Sequence, residues 1–378
     1  MSHHDTGLDP AAELRANVAR PFNEAKAMPR SVYTSEAFCA QEVDAIFRRE
    51  WVCVGRGDGL AEPGDYLTYE LAGQPIMVLR DSDGALRAQS NVCLHRMSTL
   101  LEGEGRTRAI TCPYHGWTYN LDGTLRGAPA MMHNDSFCKK GMQLPQVRVE
   151  EWLGWIMITL DPDAEPLAGR LAEVETLVGD FGMEDYRQTF REEHYWNTNW
   201  KVLAENFMES YHLPVCHGAT IGGFTKLEEM ECPPSHPDFN YHWILKDPTF
   251  AISCAHPTNT RLVGEERRRT TYLLTLYPSL LITLTPGYFW YLSLHPQGPD
   301  HVRIIYGGGL SPDFAADPEA QKHFDTVKTM LDAVNEEDRG CTERVFRGLS
   351  SGLSDPGPLS HLERPNYDFA RWISERVG

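Results

Sequence analysis

Basic charge is what this chain has little of: 35 Lys and Arg stand against 53 Asp and Glu, a formal net charge of −18. A polyanion would be repelled, so nucleic acid and anionic membrane are excluded as partners, whereas a basic protein would be attracted. No secretory leader is visible, because Met1-Ser2-His3-His4-Asp5 has neither a basic start nor an apolar run, and a cytoplasmic protein is expected. The longest uncharged stretch, Tyr272 to Leu294, is broken by Pro278, Pro286 and Gly287 and reads as buried strands with a turn, not as a membrane span. A dinucleotide fingerprint is also missing. Gly55-x-Gly57-x-Gly59 runs into Ala61-Glu62-Pro63-Gly64 instead of a helix, so any NAD(P)H must be used through another protein. The nine cysteines are odd in number and follow no regular framework. Cys39, Cys53, Cys138, Cys216, Cys232, Cys254 and Cys341 read as free thiols in a reducing compartment.

The remaining two cysteines stand in a pattern. Cys93-Leu94-His95 and Cys112-Pro113-Tyr114-His115 are two Cys-His pairs with sixteen residues between His95 and Cys112. Four such donors could hold a structural zinc ion. Zinc fingers, however, usually keep cysteines in one arm and histidines in the other, whereas each arm here supplies one of each. Two thiolates on one iron and two imidazoles on the other make a Rieske [2Fe–2S] centre, an electron carrier. Gly116 and Trp117 follow the second histidine, and Gly123 after Asn120-Leu121-Asp122 marks a tight hairpin turn.

At 378 residues the chain exceeds one compact core and is expected to divide. Ser35 to Arg49 reads as a helix with Phe38, Val43, Ile46 and Phe47 on its apolar face. From Trp51 the period shortens to that of strands, as in Tyr66 to Glu70, Pro75 to Leu79 and Gly154 to Leu160. After Asp161-Pro162-Asp163 helix formers return, with a short helix at Leu167 to Leu177. Strands are expected at Gln188 to Trp196, Thr270 to Leu276, Leu280 to Leu284, Tyr288 to Leu294 and His301 to Gly307, and helices at Trp200 to Leu213 and Pro318 to Leu349. The stretch Ile221 to Arg269 has no persistent period and reads as a loop-rich cover over a pocket or a plain surface excursion. The fold class is therefore α+β: residues 1–44 an N-terminal segment packing on the last domain, 45–162 an all-β cluster module, and 163–378 a helix-covered antiparallel sheet.

A second constellation lies in that last part. On a helix from Trp200, Glu205, Glu209 and His212 are four and three residues apart and share a face, Pro214 ends the helix, and His217 can fold back beside His212. Without a third donor, His212 would be a helix-capping histidine and His217 a loop residue. In the later helix Phe324, Val327, Leu331, Val334, Cys341 and Val345 form an apolar stripe with Asp338 inside it. A carboxylate there must be paired or metal-bound, a salt bridge to Arg344 or Lys201 being the structural alternative. Glu337 is the neighbouring candidate, but it falls off the stripe.

The two Cys-His loops, Asn199-Trp200-Lys201 leading into Glu205-Asn206-x-x-Glu209-x-Tyr211-His212-x-x-x-x-His217, and Glu337-Asp338 downstream resemble, over most of the chain, the large (α) subunits of Rieske non-haem iron oxygenases. Leu94 and Met97 depart from the Pro and Gly common around the family's first histidine. The resemblance implies a [2Fe–2S] cluster on Cys93, His95, Cys112 and His115, and a mononuclear Fe(II) on His212, His217 and Asp338, two imidazoles and a carboxylate with open positions for O2 chemistry. It also implies a separate reductase, with or without a ferredoxin, that supplies NAD(P)H electrons one at a time, and a trimer or multiple of it. In that assembly Glu209 would couple His212 to a Rieske histidine of the next subunit, while Glu205 reads as a solvated helical acid. Glu209 where most members have Asp, and the aromatic run Tyr288-Phe289-Trp290-Tyr291, resemble members acting on quaternary ammonium compounds such as betaines, carnitine and choline. Only half of an alternating strand can face a pocket, so an aromatic-acid hydroxylase or demethylase stays open. A pure Rieske carrier and a zinc hydrolase are the rivals from other classes.

Overall fold

The computed structural model describes residues 9–378 apart from 225, 226, 228, 229, 231 and 246–258, so Cys254 and the N-terminal Met1 to Asp5 lie outside the described residues. The chain divides into one unit of residues 47–169 and another made of residues up to 46 together with 170–378.

The unit 47–169 is all-β. Val52–Arg56 (β1) and Trp155–Thr159 (β10) are buried along their whole length and pair antiparallel. With Asp65–Leu71 (β2), Gln74–Arg80 (β3), Leu86–Ser90 (β4), Glu104–Arg106 (β5) and Gln146–Trp152 (β9), they form a seven-stranded sheet in the order β1-β10-β9-β4-β3-β2-β5. Three short strands, Ile110–Thr111 (β6), Thr118–Tyr119 (β7) and Leu125–Gly127 (β8), make a second sheet. The β7–β8 turn is the one expected at Gly123: its φ is +86°, Asp122 Oδ1 accepts from the Thr124 N–H at 2.9 Å, and a Cβ there would come within 2.3 Å of Gln89 Oε1.

In the other unit Glu36–Glu42 (α1) begins where Ser35 accepts the Phe38 N–H, then gives way to a wider π turn over Val43–Phe47. The stretch Leu167 to Leu177, which spans the division after residue 169, is two short helices, Leu167–Arg170 and Ala172–Val178, not one. The sheet has six antiparallel strands: Arg187–Trp196 (β11), Phe239–Leu245 (β12), Thr270–Leu276 (β13), Leu280–Leu284 (β14), Tyr288–Pro296 (β15) and Val302–Leu310 (β16), ordered β11-β16-β15-β14-β13-β12. β12 falls in the stretch where no period is visible. It is an edge strand whose burial alternates only from Asn240 to Trp243. No helix among the described residues is long and apolar enough to cross a membrane.

The expected helix Trp200 to Leu213 stops early. Trp200–Met208 (α2) ends at Glu209, whose backbone is extended (φ −122°, ψ 163°). The cause is local: Glu209 Oε2 accepts the N–H groups of Tyr211 and His212, offering the backbone a partner other than the helix ladder. Leu213–Cys216 (α3) then forms a fresh turn with Pro214 in its first positions, so Pro214 starts an element instead of ending one. Ala320–Leu349 (α4) is thirty residues long and buries Phe324, Val327, Leu331, Val334, Asn335, Asp338 and Thr342. The stripe stops short of Val345, which is 52% exposed.

What ties α1 to α2 is a buried ion pair. Lys201 Nζ lies 2.8 Å from the Glu42 carboxylate with both side chains wholly buried, and the Trp200 Nε1–H donates to the same carboxylate at 3.3 Å. The ammonium also sits 5.3–5.6 Å from the rings of Tyr33, Phe38 and Trp200. Lys201 is thus committed to Glu42 and not to Asp338. Removing one partner of such a pair strands the other charge, so Glu42→Ala should lower unfolding free energy by roughly 3 kcal/mol or more in urea titration. A loss under about 0.5 kcal/mol, the range of ordinary surface changes, would show that the pair is dispensable.

Candidate metal centres

The two Cys-His loops are near-copies of each other. In each, the cysteine N–H donates to a carbonyl five residues on (Cys93 to Ser98, Cys112 to Trp117, both 2.8 Å), and the cysteine carbonyl accepts from the N–H four residues on (Met97 and Gly116, both 3.1 Å). That closure forces the fourth residue after the cysteine to positive φ. Gly116 takes it at +72°, and Met97 takes it at +59° with its side chain in solvent.

The loops sort their donors by depth. Cys93 and Cys112 are 1% and 3% exposed, packed with Leu100, Ile110, Trp117 and Tyr119 in one apolar cluster, whereas His95 is half-buried and His115 exposed. Burial pushes the Cys112 thiol up, but the N–H groups of Tyr114 and His115, with Cys93 and Ser98, outweigh it and hold the thiol below its ordinary value. Tyr119 Oη lies 3.3 Å from Cys93 Sγ and accepts the Leu94 N–H at 3.0 Å. The two imidazoles meet edge to face with ring centres 4.7 Å apart, and His95 stacks on Trp117 at 4.9 Å. His95 Nδ1 is shielded from solvent yet has no hydrogen-bond partner among the described residues. Two inner sulfurs and two outer imidazoles, one with an orphaned nitrogen, fit a cluster with a thiolate iron inside and a histidine iron outside.

In the other unit His212, His217 and Asp338 each offer a donor atom within 4.8 Å of the others. His212 Nε2 and His217 Nε2 are 3.3 Å apart, and Asp338 Oδ1 is 3.5 Å from the first and 3.1 Å from the second. The outer nitrogens are already taken. Glu209 Oε1 lies 2.6 Å from His212 Nδ1, and Glu337 Oε2 lies 2.8 Å from His217 Nδ1. A carboxylate on one ring nitrogen fixes the tautomer and directs the other nitrogen at a metal. Glu337, which sequence spacing leaves as a spare ligand, is therefore an orienting group, and it is itself held by the Thr220 hydroxyl at 2.6 Å. Asp338 accepts from Asn206 Nδ2 at 2.8 Å, so Arg344 and Lys201 are not its partners. Burial raises the Asp338 carboxyl, yet the two imidazoles bring it down to about 2; burial lowers His212, yet Asp338 and Glu209 push it up to about 10. A concentrated donor set of this sign fits a divalent cation.

Glu205 is not a solvated acid. The Tyr33 hydroxyl donates to it at 2.7 Å, and burial pushes its carboxyl up to about 8. Of the aromatic run, Trp290 stands on the sheet face that packs on α2, its ring 5.8 Å from that of Phe207. Phe289 and Tyr291 project from the opposite face, where the Tyr291 hydroxyl donates to Gln188 at 3.0 Å.

Residues 50–146 match the family model of the Rieske [2Fe-2S] domain, and residues 183–378 that of the ring hydroxylating alpha subunit catalytic domain. The carnitine monooxygenase oxygenase subunit of Acinetobacter pittii is 30% identical over 340 residues, 85% of each chain. The chloroplastic choline monooxygenase of Arabidopsis thaliana is 28% identical over 369 residues, 92% of this chain and 82% of that one. A quaternary ammonium Rieske monooxygenase, solved in complex with L-carnitine, superposes with a TM-score of 0.82 at 26% identity, covering 96% of this chain and 98% of that one. A Rhodococcus naphthalene 1,2-dioxygenase shares the fold at 19% identity, TM-score 0.79, covering 97% and 98%. With a Rieske domain in place of a zinc site and a catalytic domain no pure electron carrier needs, the chain belongs to the ring-hydroxylating α-subunit family of Rieske oxygenases, enzymes with a [2Fe–2S] cluster and a mononuclear iron.

Proposed function

We propose that this chain is the oxygenase component that oxidises a quaternary ammonium compound, a betaine, carnitine or choline, with O2 and electrons from a separate reductase. The observation that carries the reading is the similarity to carnitine and choline monooxygenases across both units. Cys93, His95, Cys112 and His115 hold the cluster, and His212, His217 and Asp338 hold the iron. When bound, the iron supplies O2 activation; the chain supplies access, orientation and charge. Asn206 fixes Asp338, while Glu209 and Glu337 fix the imidazoles. The surplus of acid attracts a basic reductase, with or without a ferredoxin, in the cytoplasm. The assembly is a trimer or a multiple of it, a closed head-to-tail ring in which Glu209 links His212 to His95 or His115 of the next subunit.

With a surrogate reductase, a substrate panel should show NADH and O2 consumption coupled to product for quaternary ammonium compounds and not for aromatic acids. The reverse pattern would move the chain to the aromatic class. Cys112→Ser should abolish the rhombic Rieske signal in electron paramagnetic resonance, whereas Asp338→Ala should keep it and lose the mononuclear iron and at least a hundredfold in turnover. Normal iron content in Asp338→Ala would remove it from the ligand set. Glu209→Gln should retain both metal sites yet, in single turnover from a reduced cluster, lose substrate-triggered cluster oxidation and product. Wild-type yields, or an active monomer by light scattering, would sink the inter-subunit route.

A further inference from the structure

Leaving a buried polar group without a partner costs roughly 1–3 kcal/mol, so a folded interior that keeps one beside a reactive centre calls for an explanation. Two side chains flanking the iron ligands are in this condition. Asn335 is 4% exposed, and neither Oδ1 nor Nδ2 of its amide has a hydrogen-bond partner among the described residues. It lies on α4 three residues before Asp338, hence one turn away on the same face. From the sheet side comes His242 of β12, 1% exposed, with its Nε2 2.7 Å from the Ser210 hydroxyl. Ser210 belongs to the extended link between Glu209 and His212, so the imidazole is pinned against the peptide that carries a ligand. Its Nδ1 is buried and without a partner among the described residues.

The chemistry of the pair is that of neutral donors. Where the Ser210 hydroxyl donates to Nε2, the His242 proton resides on Nδ1 and that N–H is the free group. Burial pulls the imidazole down to about 4, so it is uncharged at neutral pH. The sheet register places Leu273, Thr283 and Trp290 on the same face in the same row as His242. Thr283 Oγ1 is also buried and without a partner among the described residues, and Trp290 adds an aromatic surface at the end of the row. A wholly apolar substrate would leave these polar atoms stranded, and a bare ammonium ion offers them nothing to donate to.

We propose that Asn335 and His242 form a polar subsite that hydrogen-bonds an oxygen acceptor on the substrate, a carboxylate or a hydroxyl, and so selects oxygen-bearing methylammonium compounds over bare ones. This rests on the quaternary ammonium reading above and goes further, in naming the residues that read the carboxylate or hydroxyl those compounds carry. Neutral donors hold such an oxygen without the repulsion that a buried Lys or Arg would exert on the adjacent ammonium.

The test is calorimetric binding to the anaerobic metal-loaded enzyme, which needs no turnover. Three probes are used: γ-trimethylammonium butyrate, choline and tetramethylammonium. Wild type should bind at least one oxygen-bearing probe more tightly than tetramethylammonium. Asn335→Leu should weaken that probe about tenfold, the loss of one hydrogen bond, and leave tetramethylammonium within about twofold. Asn335→Asp, nearly isosteric and so a guard against misfolding, should penalise the butyrate, whose carboxylate it repels, more than choline, whose hydroxyl can donate to the new carboxylate. Equal weakening of all three probes, or none, in both variants would overturn the subsite and leave Asn335 a holder of buried water. Wild-type enzyme that binds none of the three ends the quaternary ammonium reading together with the subsite. Wild type that binds them while the variants do not discriminate ends the subsite alone.

Discussion

The mononuclear site depends on two carboxylates that do not point at its centre. Glu209 and Glu337 each occupy the Nδ1 of one histidine, and only because those nitrogens are taken do the two Nε2 atoms face each other and Asp338. An imidazole free to rotate would present either nitrogen. One held by a carboxylate presents a single one, in a fixed direction and with raised basicity. The backbone is shaped to the same end. Glu209 stops α2 by taking two N–H groups, which swings His212 out of the helix and lets α3 bring His217 round to it, while Asn206, still on α2, holds Asp338 of α4.

The cluster unit solves a different problem, that of exposing one end of a redox group while burying the other. Its two loops repeat one hydrogen-bond pattern, so a cysteine is drawn into the apolar cluster and a histidine is left at the rim twice over. The sorting follows from elementary chemistry: a thiolate in a dry pocket needs N–H donors, which the loop backbones supply, whereas an imidazole that must pass electrons outward needs access. Arg96 of the first loop lies over the Tyr114 ring of the second at 5.2 Å, binding the two tips together at the surface.

What could be read in advance was chemistry with short spacing. The Cys-His pairs, the His212 and His217 pair and the carboxylate on the apolar stripe of α4 each announce themselves by residue type at a fixed interval, and most strands, β12 excepted, follow from short β-rich runs bounded by turn residues. What could not be read was whatever depended on a side chain competing with its own backbone or on contacts far along the chain. The helical period carries on smoothly through Glu209, so nothing local signals that its carboxylate will break the ladder. Glu205 passes for a surface acid because its partner, Tyr33, is 172 residues away. Glu337 sits off the stripe and so looks unused, yet off the stripe is where the outer nitrogen of His217 lies. The family's Pro and Gly around the first histidine give way to Leu94 and Met97, and the Met97 backbone adopts the turn regardless.

The central claim is that both histidines present Nε2 to the metal because carboxylates hold Nδ1. Anomalous diffraction at the iron edge, from crystals of the iron-loaded protein, tests it most directly. The account predicts a third iron peak per chain, separate from the pair in the cluster, bound by His212 Nε2, His217 Nε2 and an Asp338 oxygen, with Glu209 and Glu337 still hydrogen-bonded to the outer nitrogens. A peak bound through Nδ1 of either histidine, or one that takes Glu337 in place of Asp338, would contradict it.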